Sequence, residues 1–161
     1  MANLTVGAYL STVYMKRSGV IPYYLDPKTK KIIFLLAIDR RSGDYTDFGG
    51  GVKQTETALS GAKREFLQET NGIYGSPSLQ QLSSCPCMYD TKKSISLIFL
   101  PLKNKESRQQ SPANAEISGT SRLTIQEMKR CKKVWTRVWK LLKSIEPFEK
   151  ELVDFYNFSL I

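Results

Sequence analysis

The run Ile32-Ile33-Phe34-Leu35-Leu36-Ala37-Ile38 is apolar at every position, and no other segment constrains the fold as strongly. Successive side chains of a strand point to opposite sides, so a strand with no polar side belongs inside a sheet covered on both faces. Helices are therefore expected to flank the sheet. Val20 to Leu25 is a second strand-like run, and Asp26-Pro27-Lys28-Thr29 between the two is a turn by its chemistry, so the pair reads as neighbouring strands. Ile95 to Leu102 reads as a further strand. The polar stretch Asn104 to Ala115, which carries Pro112, reads as a mobile surface loop.

Arg40 to Gln54 reads as a loop containing Gly43, Gly49, Gly50 and Gly51. It leads into a helix that begins near Glu56 or Thr57 and ends near Thr70, where Asn71-Gly72 suits a left-handed cap. Between Thr124 and Ile145 the residues Ile125, Met128, Trp135, Val138, Leu142 and Ile145 recur at the spacing of one helix face. Pro147 breaks that pattern, and Phe148 to Phe158 reads as a final helix packing aromatic residues on the core.

At 161 residues, 41% hydrophobic and 24% charged, the chain is expected to form one globular domain over residues 1–161. No run approaches the roughly 18 to 20 apolar residues of a membrane span, and Met1 to Tyr14 lacks the basic start and apolar stretch of a secretory signal. The expected setting is the cytoplasm or the nucleus. Three cysteines, Cys85, Cys87 and Cys131, without CxxC spacing fit reduced thiols.

The chain has no histidine. That excludes a Ser-His-Asp triad, a Cys-His pair and a His-ligated zinc, leaving carboxylates, Lys, Tyr or a hard metal ion to carry any chemistry. Lys and Arg outnumber Asp and Glu by 24 to 15, a net charge of +9 that favours anionic partners such as nucleic acid, nucleotides, inositol phosphates or an acidic membrane surface.

On the helix ending near Thr70, Ala58, Gly61, Ala62, Glu65, Gln68 and Glu69 share one stripe at 100° per residue. Glu65 and Glu69 are one turn apart, with Cβ atoms roughly 6 Å from each other, so both can reach one cation or a cation pair. A solvated helix face would carry the same spacing. The preceding glycines favour the functional reading, because they let backbone carbonyls or amides approach a metal or phosphate at the helix entrance. No Gly-Lys-Ser/Thr follows, which rules out a phosphate-binding P-loop.

Gly50, Glu56 and Arg64-Glu65-Phe66-Leu67-Gln68-Glu69, with the intervening spacings, resemble the Nudix box, which here runs from Gly50 to Gly72. Ser18-Gly19-Val20-Ile21-Pro22-Tyr23 and Asp47-Phe48-Gly49-Gly50-Gly51-Val52 are also similar to that family, so the resemblance covers about residues 16–75. It implies an α/β/α sandwich with a mixed sheet. It also implies hydrolysis of a nucleoside diphosphate linked to another group, or of a related phosphoanhydride, with Mg²⁺ or Mn²⁺ as cofactor.

By position, the resemblance makes Glu65 and Glu69 metal-binding or base carboxylates and the Gly49 carbonyl a further ligand. Glu56, Gly50 and Arg64 would organise the box, and Arg64 stands with the catalytic residues. Gln68 replaces the first of two adjacent glutamates, leaving a neutral amide oxygen as a ligand, and Asn71 replaces a glycine. Many members have another catalytic glutamate ahead of the C-terminal helix, for which Glu116 is the candidate metal ligand or base. The basic segment with Lys129, Arg130, Lys132, Lys133 and Arg137, together with Lys53, is a candidate anion or RNA surface, and Trp135 and Trp139 lie within it. Packing of both tryptophans on the core is the competing reading. A capped RNA 5′ end, a diphosphoinositol polyphosphate and a free nucleotide are the candidate substrates. A Nudix-like module that binds RNA or nucleotide without hydrolysing it is the alternative, motivated by Gln68.

Overall fold

The apolar run at 32–38 forms the interior of an eight-stranded mixed sheet in the computed structural model, which describes residues 3–161. Met1 and Ala2, the start of the segment read for a secretory signal, lie outside the described residues. In chain order the elements are β1 (Asn3–Val6), β2 (Arg17–Leu25), β3 (Ile32–Asp39), β4 (Tyr45–Thr46), β5 (Phe48–Gly51), α1 (Ala58–Thr70), α2 (Leu79–Ser84) and β6 (Pro86–Asp90). They continue with β7 (Ile95–Pro101), β8 (Ile117–Thr124), α3 (Ile125–Arg130), α4 (Thr136–Leu142) and α5 (Glu149–Phe158). Among the described residues no helix is long and apolar enough to cross a membrane.

β2 is the spine of the sheet. It runs parallel to β7 from Arg17 to Tyr23, while its other edge is shared: the first half pairs antiparallel with β5 and the second with β3. β3 then pairs antiparallel with β8 over nearly its whole length and with β4 at Ala37 and Ile38. This is the mixed sheet the resemblance implied. Leu35 and Ala37 join the core beneath α1 and α2, and Ile32, Phe34 and Leu36 join the core beneath α3 and α4. The alternation of β3 thus builds two cores, and the expected α/β/α layering follows from it.

Local chemistry sets the boundaries of α1. Thr57 caps its start in a reciprocal arrangement with Ser60, and Asn71 closes it in the left-handed region at φ 51°, ψ 36°, with Gly72 following at φ 78°. Asn71 therefore does the work expected of a glycine. The side chains of α1 that face the sheet are fully enclosed: Phe66 meets Phe48 edge-on at 6.1 Å between ring centroids, and Phe48 meets Tyr74 at 5.7 Å.

Several expectations are corrected. Gly49 to Gly51 are strand residues paired with β2, because Asp47 and Phe48 are buried and draw the segment into the sheet. The segment 124–145 is two short helices. Around Val134 the chain leaves helical geometry to pair with Tyr45: the Tyr45 amide donates to the Lys133 carbonyl at 2.7 Å and the Trp135 amide to the Tyr45 carbonyl at 2.8 Å. Long-range pairing overrides the helical periodicity there. The stretch 104–115 contains a short 3₁₀ turn and is pinned by Arg122, which donates to the Arg108 and Gln110 carbonyls at 2.6 and 2.7 Å. In α5, Phe155 and Tyr156 pack on the cores, whereas Phe158 is exposed.

Cys85 and Cys87 are buried free thiols, pushed up to about 12 by desolvation, and Cys131 is also free, in line with reduced cysteines. Removing the ring that anchors α1, Phe66→Ala, is expected to cost about 3–5 kcal/mol, a fall in Tm of roughly 6–20 °C by differential scanning calorimetry. An unchanged Tm would show that α1 is held by other contacts.

Candidate active site

α1 packs across β2 and β5 so that its carboxylates meet the glycine strand. A Cβ on Gly50 would lie 2.6 Å from the Glu65 carboxyl carbon, so only glycine lets that carboxylate rest on the backbone. Glu65 is held there by Arg64, whose Nη1 donates to Glu65 Oε1 at 2.9 Å. The same guanidinium grips Glu56 with both remaining nitrogens, Nε to Oε2 at 2.8 Å and Nη2 to Oε1 at 2.9 Å, and Nη2 also donates to the Gly51 carbonyl at 3.0 Å. The Arg64 guanidinium holds Glu56 down at about 2, well below the usual carboxylate range, while Glu56 raises Arg64. Glu56 and Arg64 thus form one clamp joining the loop, the strand and the helix.

The cleft beside this clamp has a volume of about 550 Å³ and is lined by Glu69, Glu116 and Gly49, together with Arg17, Thr46 and the Asp39 to Arg41 corner. Glu69 is buried, and its Oε1 has no hydrogen-bond partner. Burial first, then the charges of Asp47, Glu116 and Glu65, push its carboxyl up to about 9. Asp47, fully buried, accepts from Arg17 Nη2 at 2.5 Å through Oδ1, while its Oδ2 is likewise unpartnered. Burial opposes the charge on Arg17, but Asp47, and beyond it Glu69 and Glu65, offset this and raise its pKa.

Glu116 is exposed at the cleft rim, yet its backbone is fixed. Asn114 donates from Nδ2 to the Glu69 carbonyl at 2.8 Å and accepts from the Glu116 and Ile117 amides through Oδ1. Arg40 binds the same corner, its amide donating to the Glu116 carbonyl at 2.9 Å and its Nε to the Asn114 carbonyl at 2.8 Å. Two elements far apart in sequence are thereby tied at the carboxylates.

Of the residues expected from the sequence, Glu69, Glu116 and Gly49 come together in the cleft, and Glu56, Arg64, Glu65 and Gly50 form the clamp beside it. Gln68 is turned to solvent, with Oε1 3.5 Å from Arg64 Nη1, rather than toward Glu69. Lys129 pairs with Glu146, Lys133 lies over the Tyr45 ring at 5.9 Å, and Lys53, Arg130 and Lys132 are exposed. Arg137 lies over the Trp135 ring at 5.5 Å. Both tryptophans are half-buried against the second core.

Sequence reasoning missed Arg17, Arg40, Asp47 and Asn114 as site residues. The only available signal was for Asp47, an acid set immediately before a buried aromatic and three glycines.

Among the described residues no three carboxylates or cysteines converge as a ready-made metal cluster. The cleft's donor set nevertheless fits a hard divalent cation: the buried, unpartnered Glu69 Oε1, the neighbouring exposed Glu116 carboxylate, and no histidine or cysteine in the lining. Burial, with the neighbouring carboxylates adding to it, keeps Glu69 protonated, and a bound cation opposes both effects. For the metal-free protein, the native Glu69 carboxyl stays protonated from its ordinary 4.5 up to about 9, whereas the unfolded one ionises, so its contribution to stability is lost over that window as pH rises. Metal-free Glu69→Gln is therefore expected to melt about 5 °C or more above the parent at pH 8 and close to it near pH 4. Equal melting temperatures at both pH values would contradict the burial of this charge.

A family model described as NUDIX domain matches residues 15–145. Comparison with curated protein sequences gives no match. Among solved structures, the C. elegans Ap4A hydrolase in a binary complex is similar at TM-score 0.61 and 20% identity, with 84% of this chain and 99% of that chain covered. The Bacillus subtilis pyrophosphohydrolase BsRppH is similar at TM-score 0.52 and 16% identity, covering 98% and 92%. The NUDIX domain of Shewanella oneidensis NrtR, complexed with ADP ribose, is similar at TM-score 0.53 and 11% identity, covering 87% and 89%. These likenesses support the fold, and the family model carries the assignment: the chain belongs to the Nudix hydrolase family.

Proposed function

We propose that this protein, acting as a single domain, is a Mg²⁺- or Mn²⁺-dependent pyrophosphohydrolase that cleaves the diphosphate bridge of a nucleoside diphosphate linked to a further group. Nudix hydrolases generally use divalent metals. The observation that carries the reading is the buried Glu69 carboxyl, unpartnered at Oε1 and lining a cleft with Gly49 and Glu116. In this reading Glu69, Glu65 and the Gly49 carbonyl hold the cation and Glu116 is the base. When bound, the cation neutralises non-bridging phosphate oxygens and lowers the pKa of the attacking water.

The chain's own groups do the rest. Glu116 accepts a proton from water as its oxygen bonds to phosphorus, and the bond from that phosphorus to the bridging oxygen breaks to give two phosphorylated fragments. Arg64 keeps Glu65 on Gly50 by an ion pair, so one carboxylate is oriented before substrate arrives. Arg17, Arg40 and Arg41 supply positive charge around the cleft to meet an anionic substrate. The Nudix-fold neighbour complexed with ADP ribose accords with a nucleotide-like ligand. An mRNA 5′ cap, a diphosphoinositol polyphosphate and a free nucleotide are the finer candidates, and the cytoplasm or the nucleus is the proposed setting. Gln68, facing solvent beside Arg64, would tune the clamp rather than bind the cation.

Incubation with capped RNA, dinucleoside polyphosphates, nucleotide sugars, NTPs and diphosphoinositols, with products identified by mass spectrometry, is expected to give metal-dependent cleavage of at least one class. Glu69→Gln is expected to lower kcat on that substrate by at least about 10²-fold with the fold intact. No turnover across the panel with either metal would overturn the hydrolase reading in favour of a binding module.

A further inference from the structure

Three cavities open side by side on Arg17. The first is the catalytic cleft; the second, of about 300 Å³, is lined by Arg17, Arg41, Trp135, Thr46 and Ser42 with the acids Asp39 and Asp44; the third, of about 270 Å³, has Lys16, Arg17, Lys93, Ser94 and Arg137 in its lining. Register explains the continuity. β2 and β7 begin side by side, Arg17 opposite Ile95, and the Lys16 amide donates to Ser94 Oγ at 2.9 Å, so the turn carrying Lys93 lies directly beyond Arg17.

This lane combines cations with an aromatic side chain that lines the middle cavity, where Asp39 and Asp44 are the acids. Trp135 is half-buried, with the Arg17 guanidinium 4.9 Å and the Arg137 guanidinium 5.5 Å from its ring. Further out, Lys93 faces Lys140 and Lys143. Slight desolvation and then the charges of those two lysines lower its pKa, with Asp90 opposing. Like charges gathered on exposed side chains disfavour the free protein and favour a polyanion.

We propose that this lane binds the backbone of a single-stranded polynucleotide whose 5′ phosphoanhydride occupies the catalytic cleft, the phosphates lying on Lys16, Lys93, Arg137 and Lys140 and a base on Trp135. The inference rests on the hydrolase reading and names the substrate class for that same site. Cations in adjoining cavities with an aromatic side chain between them match a chain of alternating phosphates and bases. An inositol polyphosphate offers no aromatic ring to set against Trp135.

The test compares a 5′-triphosphorylated 12-nucleotide RNA with ATP as substrates in Mn²⁺, for the parent and for Lys93→Glu/Lys140→Glu. The parent is expected to favour the 12-mer in kcat/KM, and the double variant to lose at least tenfold of that preference through KM, with kcat on the 12-mer retained. The salt slope of 12-mer binding is expected to fall by about 0.7 per cation removed. Both substitutions are on exposed side chains, and an unchanged Tm separates lost binding from lost folding.

No preference for the 12-mer, or one equal in parent and variant, would overturn the lane while leaving the hydrolase reading standing. If neither substrate is cleaved, fluorescence anisotropy of a labelled 12-mer decides the lane alone: loss of binding in the variant supports it, and equal binding overturns it. Turnover of a diphosphoinositol with the same dependence on Lys93 and Lys140 would also overturn it.

Discussion

Two carboxylates, Asp47 and Glu69, are buried near each other where β5 meets α1, and the one guanidinium among them, that of Arg17, is paired with Asp47 alone. Burying like charges is costly unless something neutralises them, and a single cation does so incompletely. Glu69 answers by keeping its proton. The neighbouring architecture accommodates this arrangement: Gly19 and Gly49 oppose each other across β2 and β5, and the Asp47 carboxylate fills the space their side chains would take. A site organised around an unmet negative charge inside a strongly basic chain is suited to hold a small cation while drawing in a large anion.

The division of labour among the charges follows from their surroundings. Glu56 and Glu65 are both tied to Arg64, which fixes the glycine strand against the helix and holds the Glu65 carboxylate in place on Gly50. Glu69 has no such partner, and Glu116 stands exposed beside it on a corner that Asn114 and Arg40 hold in place. The excess of lysine and arginine is concentrated in part along Arg17, Arg137, Lys16 and Lys93, next to the cleft.

Much of this was legible in the sequence because it depends on local rules. The apolar run at 32–38 placed β3 inside the sheet, Asn71-Gly72 ended α1, and the spacing of Glu65 and Glu69 put both on the side of α1 that meets β5. What was not legible depends on pairings between distant segments. The glycines read as a loop but form a strand because β2 lies beside them, and the helix periodicity of 124–145 yields at Val134 to a backbone pairing with Tyr45. Gln68 shares the stripe with Glu69 on a helical wheel, yet one faces solvent and the other is enclosed, since the cleft covers only the inner edge of that stripe. Arg17 and Asn114 carry no motif at all. Their roles arise from where β2 starts and where the chain enters β8.

In the proposed reading the buried Glu69 carboxyl is a cation ligand. Anomalous diffraction at the manganese edge, from crystals equilibrated with Mn²⁺ above pH 7, tests it most directly. An anomalous peak in contact with the Glu69 carboxylate, absent in crystals of Glu69→Gln, is the predicted result. Manganese bound elsewhere in the cleft, with Glu69 left untouched, would contradict it.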